Sequence, residues 1–158
     1  MFRVLIFILS FLFFTNIYAA GNDARIGISV GGINWGRGLF GIEYDQKGII
    51  KQANWTAGGE LDLLGGGFLL SPRALYWQKT NISGFYGGPM VSVGVVQDGH
   101  YNHSYENNYD NFLVGIGGEG GWLYRFPMKF DLGAAVDLSA TNYGMWLGLK
   151  ITAGYLIH

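Results

Sequence analysis

An alternation near the end of the chain constrains its fold more than any other feature. Taken two at a time from Phe112, the residues are Phe112, Val114, Ile116, Gly118, Gly120, Trp122, Tyr124 and Phe126. The intervening positions hold Leu113, Gly115, Gly117, Glu119, Gly121, Leu123 and Arg125. Beyond Pro127-Met128 the pattern resumes, with Phe130, Leu132, Ala134, Val136, Leu138 and Ala140 set against Asp131, Gly133, Ala135, Asp137, Ser139 and Thr141. Side chains that change face at every residue belong to extended strands. The spacing predicts two antiparallel strands over 111–126 and 129–141, joined by a two-residue Pro-Met turn. One face is apolar, and the other is small or charged.

The same period recurs through the chain, punctuated by Gly, Asn and Asp clusters. It predicts strands at 25–33, 39–45, 55–64, 68–78, 85–96 and 145–158, which with the hairpin makes eight. No helical period competes with them beyond residue 20. The opening of the chain differs: Met1-Phe2-Arg3 is a short basic start, Val4 to Phe14 is almost unbroken apolar sequence, and Ile17-Tyr18-Ala19 offers a small residue for cleavage. That run is short for a membrane-spanning helix and reads as a secretory signal peptide over 1–19, with one β-barrel domain over 20–158.

An alternating eight-stranded chain can close with its apolar face inward, as a soluble barrel, or outward, as a transmembrane barrel. Composition bears on the choice. Charged residues are 13% of the chain, against about 25% in soluble domains, and the polar face is mostly Gly, Ser, Thr and Asp. It suits a narrow lumen better than a water-facing exterior. Buried charges must pair, so Glu43, Glu60, Asp62, Glu119, Asp131 and Asp137 are expected to meet Arg73, Arg125 and Lys150 inside. Aromatic residues on the apolar face (Trp55, Tyr76, Trp122, Tyr124, Phe126, Tyr155) fall near strand ends, where a membrane barrel carries its interfacial girdle. The longest polar loop, Gln97 to Asp110, and the Pro-Met turn fall at opposite ends, as long outer loops and short periplasmic turns do. The Gly36–Gly38 and Gly65–Gly67 turns at the loop end are short. The expected fold is all-β: an eight-stranded antiparallel up-and-down transmembrane β-barrel.

The run Ser71-Pro72-Arg73-Ala74-Leu75-Tyr76, followed by Ser83-Gly84-Phe85-Tyr86-Gly87-Gly88-Pro89, is similar to strand starts of small eight-stranded outer-membrane barrels of the OmpA/OmpX type. Most of the chain beyond the leader resembles that group. The resemblance implies an integral protein of a diderm outer membrane. Its partners would be outer-membrane lipid and lipopolysaccharide, and the barrel assembly machinery. Such barrels usually end on Phe or Trp, whereas this chain ends Tyr155-Leu156-Ile157-His158.

Chemistry is sparsely supported. Cysteine is absent, and the histidines are His100, His103 and His158. His100, His103, Ser104, Glu106 and Asp110 share the long loop, but adjacent His103 and Ser104 point apart in an extended chain, which argues against a hydrolytic trio. Asp98, His100, His103 and Glu106 could be drawn as metal ligands, yet no rigid element holds them. Glu60 and Asp62 share a face, as a glycosidase pair would, but lumen salt bridges are the preferred reading of them. No catalytic residue, metal or cofactor is therefore expected. His100, Tyr101, His103, Tyr105 and Tyr109 form a surface-binding loop in this reading, since Tyr with Asn and Ser combines rigid contact area with adaptable hydrogen bonding. A host or surface ligand is the expected partner there. With a net charge of −1 and no basic stripe, nucleic acid is not expected. The expected role is envelope-structural or adhesin-like, around a lumen filled by side chains. Two alternatives stay open: a lipid-modifying outer-membrane enzyme, such as a lipid A acylhydrolase or acyltransferase, and a soluble lipocalin-like barrel binding a small apolar ligand.

Overall fold

The computed structural model describes residues 23–33, 37–64, 67–97 and 110–157. Residues 1–22, where the signal peptide is expected, His158 and the long-loop residues His100, Tyr101, His103, Ser104, Tyr105, Glu106 and Tyr109 lie outside them. The described residues form eight strands: β1 (Ala24–Ile33), β2 (Arg37–Lys47), β3 (Trp55–Leu64), β4 (Gly67–Lys79), β5 (Ser83–Gln97), β6 (Asp110–Arg125), β7 (Phe130–Thr141) and β8 (Gly144–Ile157). Each pairs antiparallel with the next, and β1 pairs with β8 along its whole length, from Ala24–Ile157 to Ile33–Gly148. The sheet is thus a closed up-and-down barrel with no free edge to recruit another chain.

The barrel is apolar outside and polar inside. Ile26, Ile28 and Val30 of β1, Val114 and Ile116 of β6, Leu132, Val136 and Leu138 of β7, and Leu149 and Ile151 of β8 are exposed on the outer wall. Their neighbours of opposite parity, among them Arg25, Ser29, Glu119, Asp131, Lys150 and Thr152, are buried. A soluble lipocalin-like barrel has the reverse arrangement, so that alternative does not survive closure. Phe126, Tyr124, Trp122 and Phe130 touch one another on the outer wall around the β6–β7 turn, and Trp55 packs edge-on against Tyr76 with centroids 5.7 Å apart. These rings sit toward the end where β1 begins and β8 finishes.

The β6–β7 turn at that end differs from expectation. The β6–β7 connection is a three-residue loop: Phe126 N–H donates to Phe130 O, Lys129 N–H donates to Phe126 O, and Lys129 takes a φ of 65°. A left-handed third residue is what lets a tight turn feed two twisted strands. Glycine would be cheapest there, but Leu156 N–H holds the Lys129 carbonyl at 2.9 Å. The β4–β5 turn repeats the device with Ile82 at φ 54°. A β-branched residue in that region costs about 1–2 kcal/mol. Ile82 is fully buried inside the barrel end against Leu75, Trp77, Tyr86 and Leu123. Burying such a side chain contributes about 1.5–3 kcal/mol, so packing outweighs strain.

Candidate functional site

Along the lumen-facing parity of β4 and β6, charged residues lie between apolar ones. On β4 the inward order is Leu69, Ser71, Arg73, Leu75 and Trp77; on β6, Leu113 precedes Glu119 and Leu123 follows it. The ends form two apolar clusters. Leu75, Trp77, Ile82, Tyr86, Leu123 and Leu156 lie toward the chain termini, and Leu39, Leu64, Leu69, Val96 and Leu113, with Trp146, toward the long loop. Between them lies a network of ion pairs.

Two arginines are its hubs. The Arg25 guanidinium donates to Glu43, to Asp131 Oδ1 at 3.0 Å and to Thr152 Oγ1 at 2.8 Å. It fits because Gly27 and Gly154 flank it: a Cβ at Gly154 would lie 2.8 Å from Arg25 Nη2, and one at Gly27 2.9 Å from the same atom. Arg73 forks onto Asp45 through Nε at 3.1 Å and Nη2 at 2.7 Å, the bidentate geometry a planar guanidinium favours. Its Nη1 donates to Glu60 at 3.2 Å and to Glu119 at 2.5 Å. Tyr86 Oη donates to the other Glu119 oxygen at 3.0 Å, and Trp77 Nε1 donates to Thr56 Oγ1 at 2.9 Å. Polar edges of the apolar cluster are thereby satisfied by the network and its neighbours.

Lys150 lies on the loop side of the network, donating to Glu60 and lying 2.9 Å from Asp137 Oδ2 and 3.6 Å from Glu119 Oε2. Arg125 sits at the opposite rim, mostly buried, bonded to the Asn81 carbonyl and to Asp131 Oδ2 at 2.9 Å. The structure therefore brings Glu43, Glu60, Arg73, Glu119, Asp131, Asp137 and Lys150 into one linked set, with Arg125 joined at its edge. Asp62 is different. It is buried, but no ion pair closes on it among the described residues, and its Oδ1 has no hydrogen-bond partner. Glu60 and Asp62 lie close together, their Oε1 and Oδ1 converging over Gly41, and Glu60 is also held by Ser29, Arg73 and Lys150.

Sequence reasoning left out Arg25 and Asp45 as members of the network. Both lie on the inward parity of their strands, so the signal was present; their positions near strand ends hid it. No group of three or more His, Asp or Glu side chains that could hold a metal ion occurs among the described residues.

No family model matches the chain, and no curated protein matches it. Solved structures do. The N-terminal β-barrel domain of Pseudomonas aeruginosa OprF superposes with a TM-score of 0.65 at 17% identity, covering 86% of this chain and 98% of that one. The fold is that of a small outer-membrane β-barrel. The Yersinia pestis outer membrane protein Ail, whose backbone structure was determined in a phospholipid bilayer nanodisc, is also similar, with a TM-score of 0.50 at 11% identity over 87% of this chain and 99% of that one. At such identities the barrel architecture is shared, while side-chain roles are not transferred.

Proposed function

We propose that this protein is an integral barrel of a bacterial outer membrane, exported by its leader, with no enzymatic activity, presenting the 98–109 loop to the cell's surroundings. The observation that carries the membrane reading is the apolar outer wall around a charged lumen, an inversion that only a lipid exterior rewards. Strand length supports the surface-binding role. β5 and β6 have 15 and 16 residues where β1 and β3 have 10 each, and about 9–11 residues suffice to cross a bilayer. The extra length of these two strands exceeds what a crossing needs, and the turns at the other end face the periplasm. The filled lumen favours a structural or adhesive role over bulk transport.

Fractionation and heat-dependent gel mobility test the location: the protein should enter the outer-membrane fraction and migrate faster unheated than boiled. Deleting residues 99–108 should leave that shift intact while abolishing attachment of expressing cells to host-cell or matrix surfaces. Unchanged attachment would remove the adhesive role and leave the envelope-structural one. An altered lipid A profile on expression of the intact chain would favour the lipid-modifying alternative instead.

A further inference from the structure

The β4–β5 turn closes its end of the barrel from within. Thr80 and Asn81 are exposed, while Ile82, the third residue, turns back into the lumen and is fully buried. Ile82 shares one cluster with Leu75, Trp77, Tyr86 and Leu123. Trp77 and Tyr86 stack with centroids 4.5 Å apart, and Tyr86 Oη donates to Glu119. Behind the turn lie two aromatic rings, and behind them the ion-pair layer.

The turn is joined to the wall loosely. Its inward pose is opposed by its own backbone, since Ile82 holds a φ of 54° beside Gly84 at 85°. Left-handed backbone on a β-branched residue persists only where its surroundings impose it, and such strain marks segments with a second state within reach. The ladder slips just before the turn: Trp77 pairs with Tyr86, but Lys79 pairs with Ser83, leaving a register shift between Trp77 and Lys79. A break of this kind lets strand ends bend without disturbing the pairs beyond it. The β6–β7 turn is tied differently, by a backbone bond from Leu156 N–H to the Lys129 carbonyl. The Asn81 carbonyl is held by a side chain, Arg125 Nη1, while Ser83 Oγ donates to Asn81 Oδ1 at 2.5 Å within the turn itself. A space of about 360 Å³, lined in part by Lys47, Ile50, Lys51 and Gln52, lies between Thr80 and the β2–β3 connection. The turn has room to move.

We propose that the β4–β5 turn is a hinged stopper, which swings out about the register shift while the eight-stranded ladder stays closed. Swinging out relieves the Ile82 backbone and opens Trp77, Tyr86 and the near side of the ion-pair layer to water. It also exposes Ile82, so the outward state is the minor one. Arg125 is the latch, through the Asn81 carbonyl. The loop-end cluster around Leu39, Leu69 and Leu113 stays in place. The opening therefore admits water and small solutes from one end without making a through pore.

The chain has no cysteine, so a single introduced thiol reports its own position. The test uses the full chain refolded in detergent micelles, carrying either Ile82→Cys or Leu113→Cys, both native side chains being fully buried. Reaction with a water-soluble maleimide is followed at several low urea concentrations. Ile82→Cys should react many-fold faster than Leu113→Cys, at a rate that urea hardly changes, because a local opening exposes little surface. Adding Arg125→Ala should speed Ile82→Cys several-fold and leave Leu113→Cys unchanged. Equal rates at the two positions, or equal acceleration of both, would mean that the turn leaves only when the barrel unfolds, and overturns the stopper. If Ile82→Cys does not refold, the unaltered protein decides through the Trp77 indole N–H, which donates to Thr56 Oγ1 behind the turn. Its hydrogen exchange should respond weakly to urea beside a steep response of the Glu119 amide; a steep response shared by both overturns the stopper as well.

Discussion

Replacing Arg73 with alanine removes the cation on which most of the lumen depends. Its side chain is 1% exposed and reaches Asp45, Glu60 and Glu119 through four hydrogen bonds. Summing about 1.5–3 kcal/mol for each bond to a charged group would overstate the loss, because the carboxylates are not equally stranded. Glu60 keeps Lys150 and Ser29, and Glu119 keeps Tyr86. Among the described residues Asp45 keeps Arg25 alone, at 3.8 Å, and takes the largest penalty. The expected cost is that of breaking a buried pair and leaving one carboxylate largely uncompensated, about 3–5 kcal/mol. Urea unfolding of the barrel refolded into lipid vesicles, read by tryptophan fluorescence, measures it. Arg73→Lys should recover part of the loss, since the charge stays while the fork onto Asp45 goes. Arg73→Ala with Asp45→Asn should cost less than the two single changes summed, as groups in one network couple. If Arg73→Ala costs under about 1 kcal/mol, the range of an exposed pair, the lumen carboxylates are solvated by water and the closed-network reading fails.

Ile151 is 60% exposed in mid-strand and pairs with Val30 and Ala134. Ile151→Arg should destabilise the barrel in vesicles by about 2–4 kcal/mol if that wall faces the bilayer midplane, and a change within about 0.5 kcal/mol would mean it faces water. Trp77→Phe deletes the donor to Thr56 Oγ1 while keeping an aromatic ring against Tyr86, and should cost about 1–3 kcal/mol through the unpaired buried hydroxyl. A neutral result in the same unfolding assay would show that Thr56 finds another donor. Asn142 clasps β6 beyond the end of β7 through Val114 N–H, the Phe112 carbonyl and the Val114 carbonyl. Asn142→Ala should accelerate hydrogen exchange at the Val114 amide while leaving the Glu119 amide protected; unchanged exchange at Val114 would deny the clasp a role.

The strands were legible residue by residue, because a period of two survives any change of partner and each strand writes it independently. Phe112 to Phe126 and Phe130 to Ala140 announce their two faces in full, and the inward parity already contained the charges of the network. Periodicity is unchanged when a barrel is turned inside out, so the direction of each face had to be argued from composition and was settled by which parity the closed barrel buries. The short turns were less visible. Lys129 and Ile82 adopt left-handed conformations that their own preferences oppose, and burial of Ile82 and the bond from Leu156 are tertiary causes.

The amino-acid order alone prescribed eight alternating segments, their approximate ends and the residues available to fill a lumen, since these depend on local geometry and hydropathy. Which charges meet was decided across the barrel. Arg25 finds Asp131 and Lys150 finds Glu60 over separations of 106 and 90 residues, through the register in which the strands close. Closure also singled out Asp62, which has the same parity as Glu60 yet no ion pair among the described residues, because a carboxylate's partner is set by distance across the lumen rather than by position along a strand.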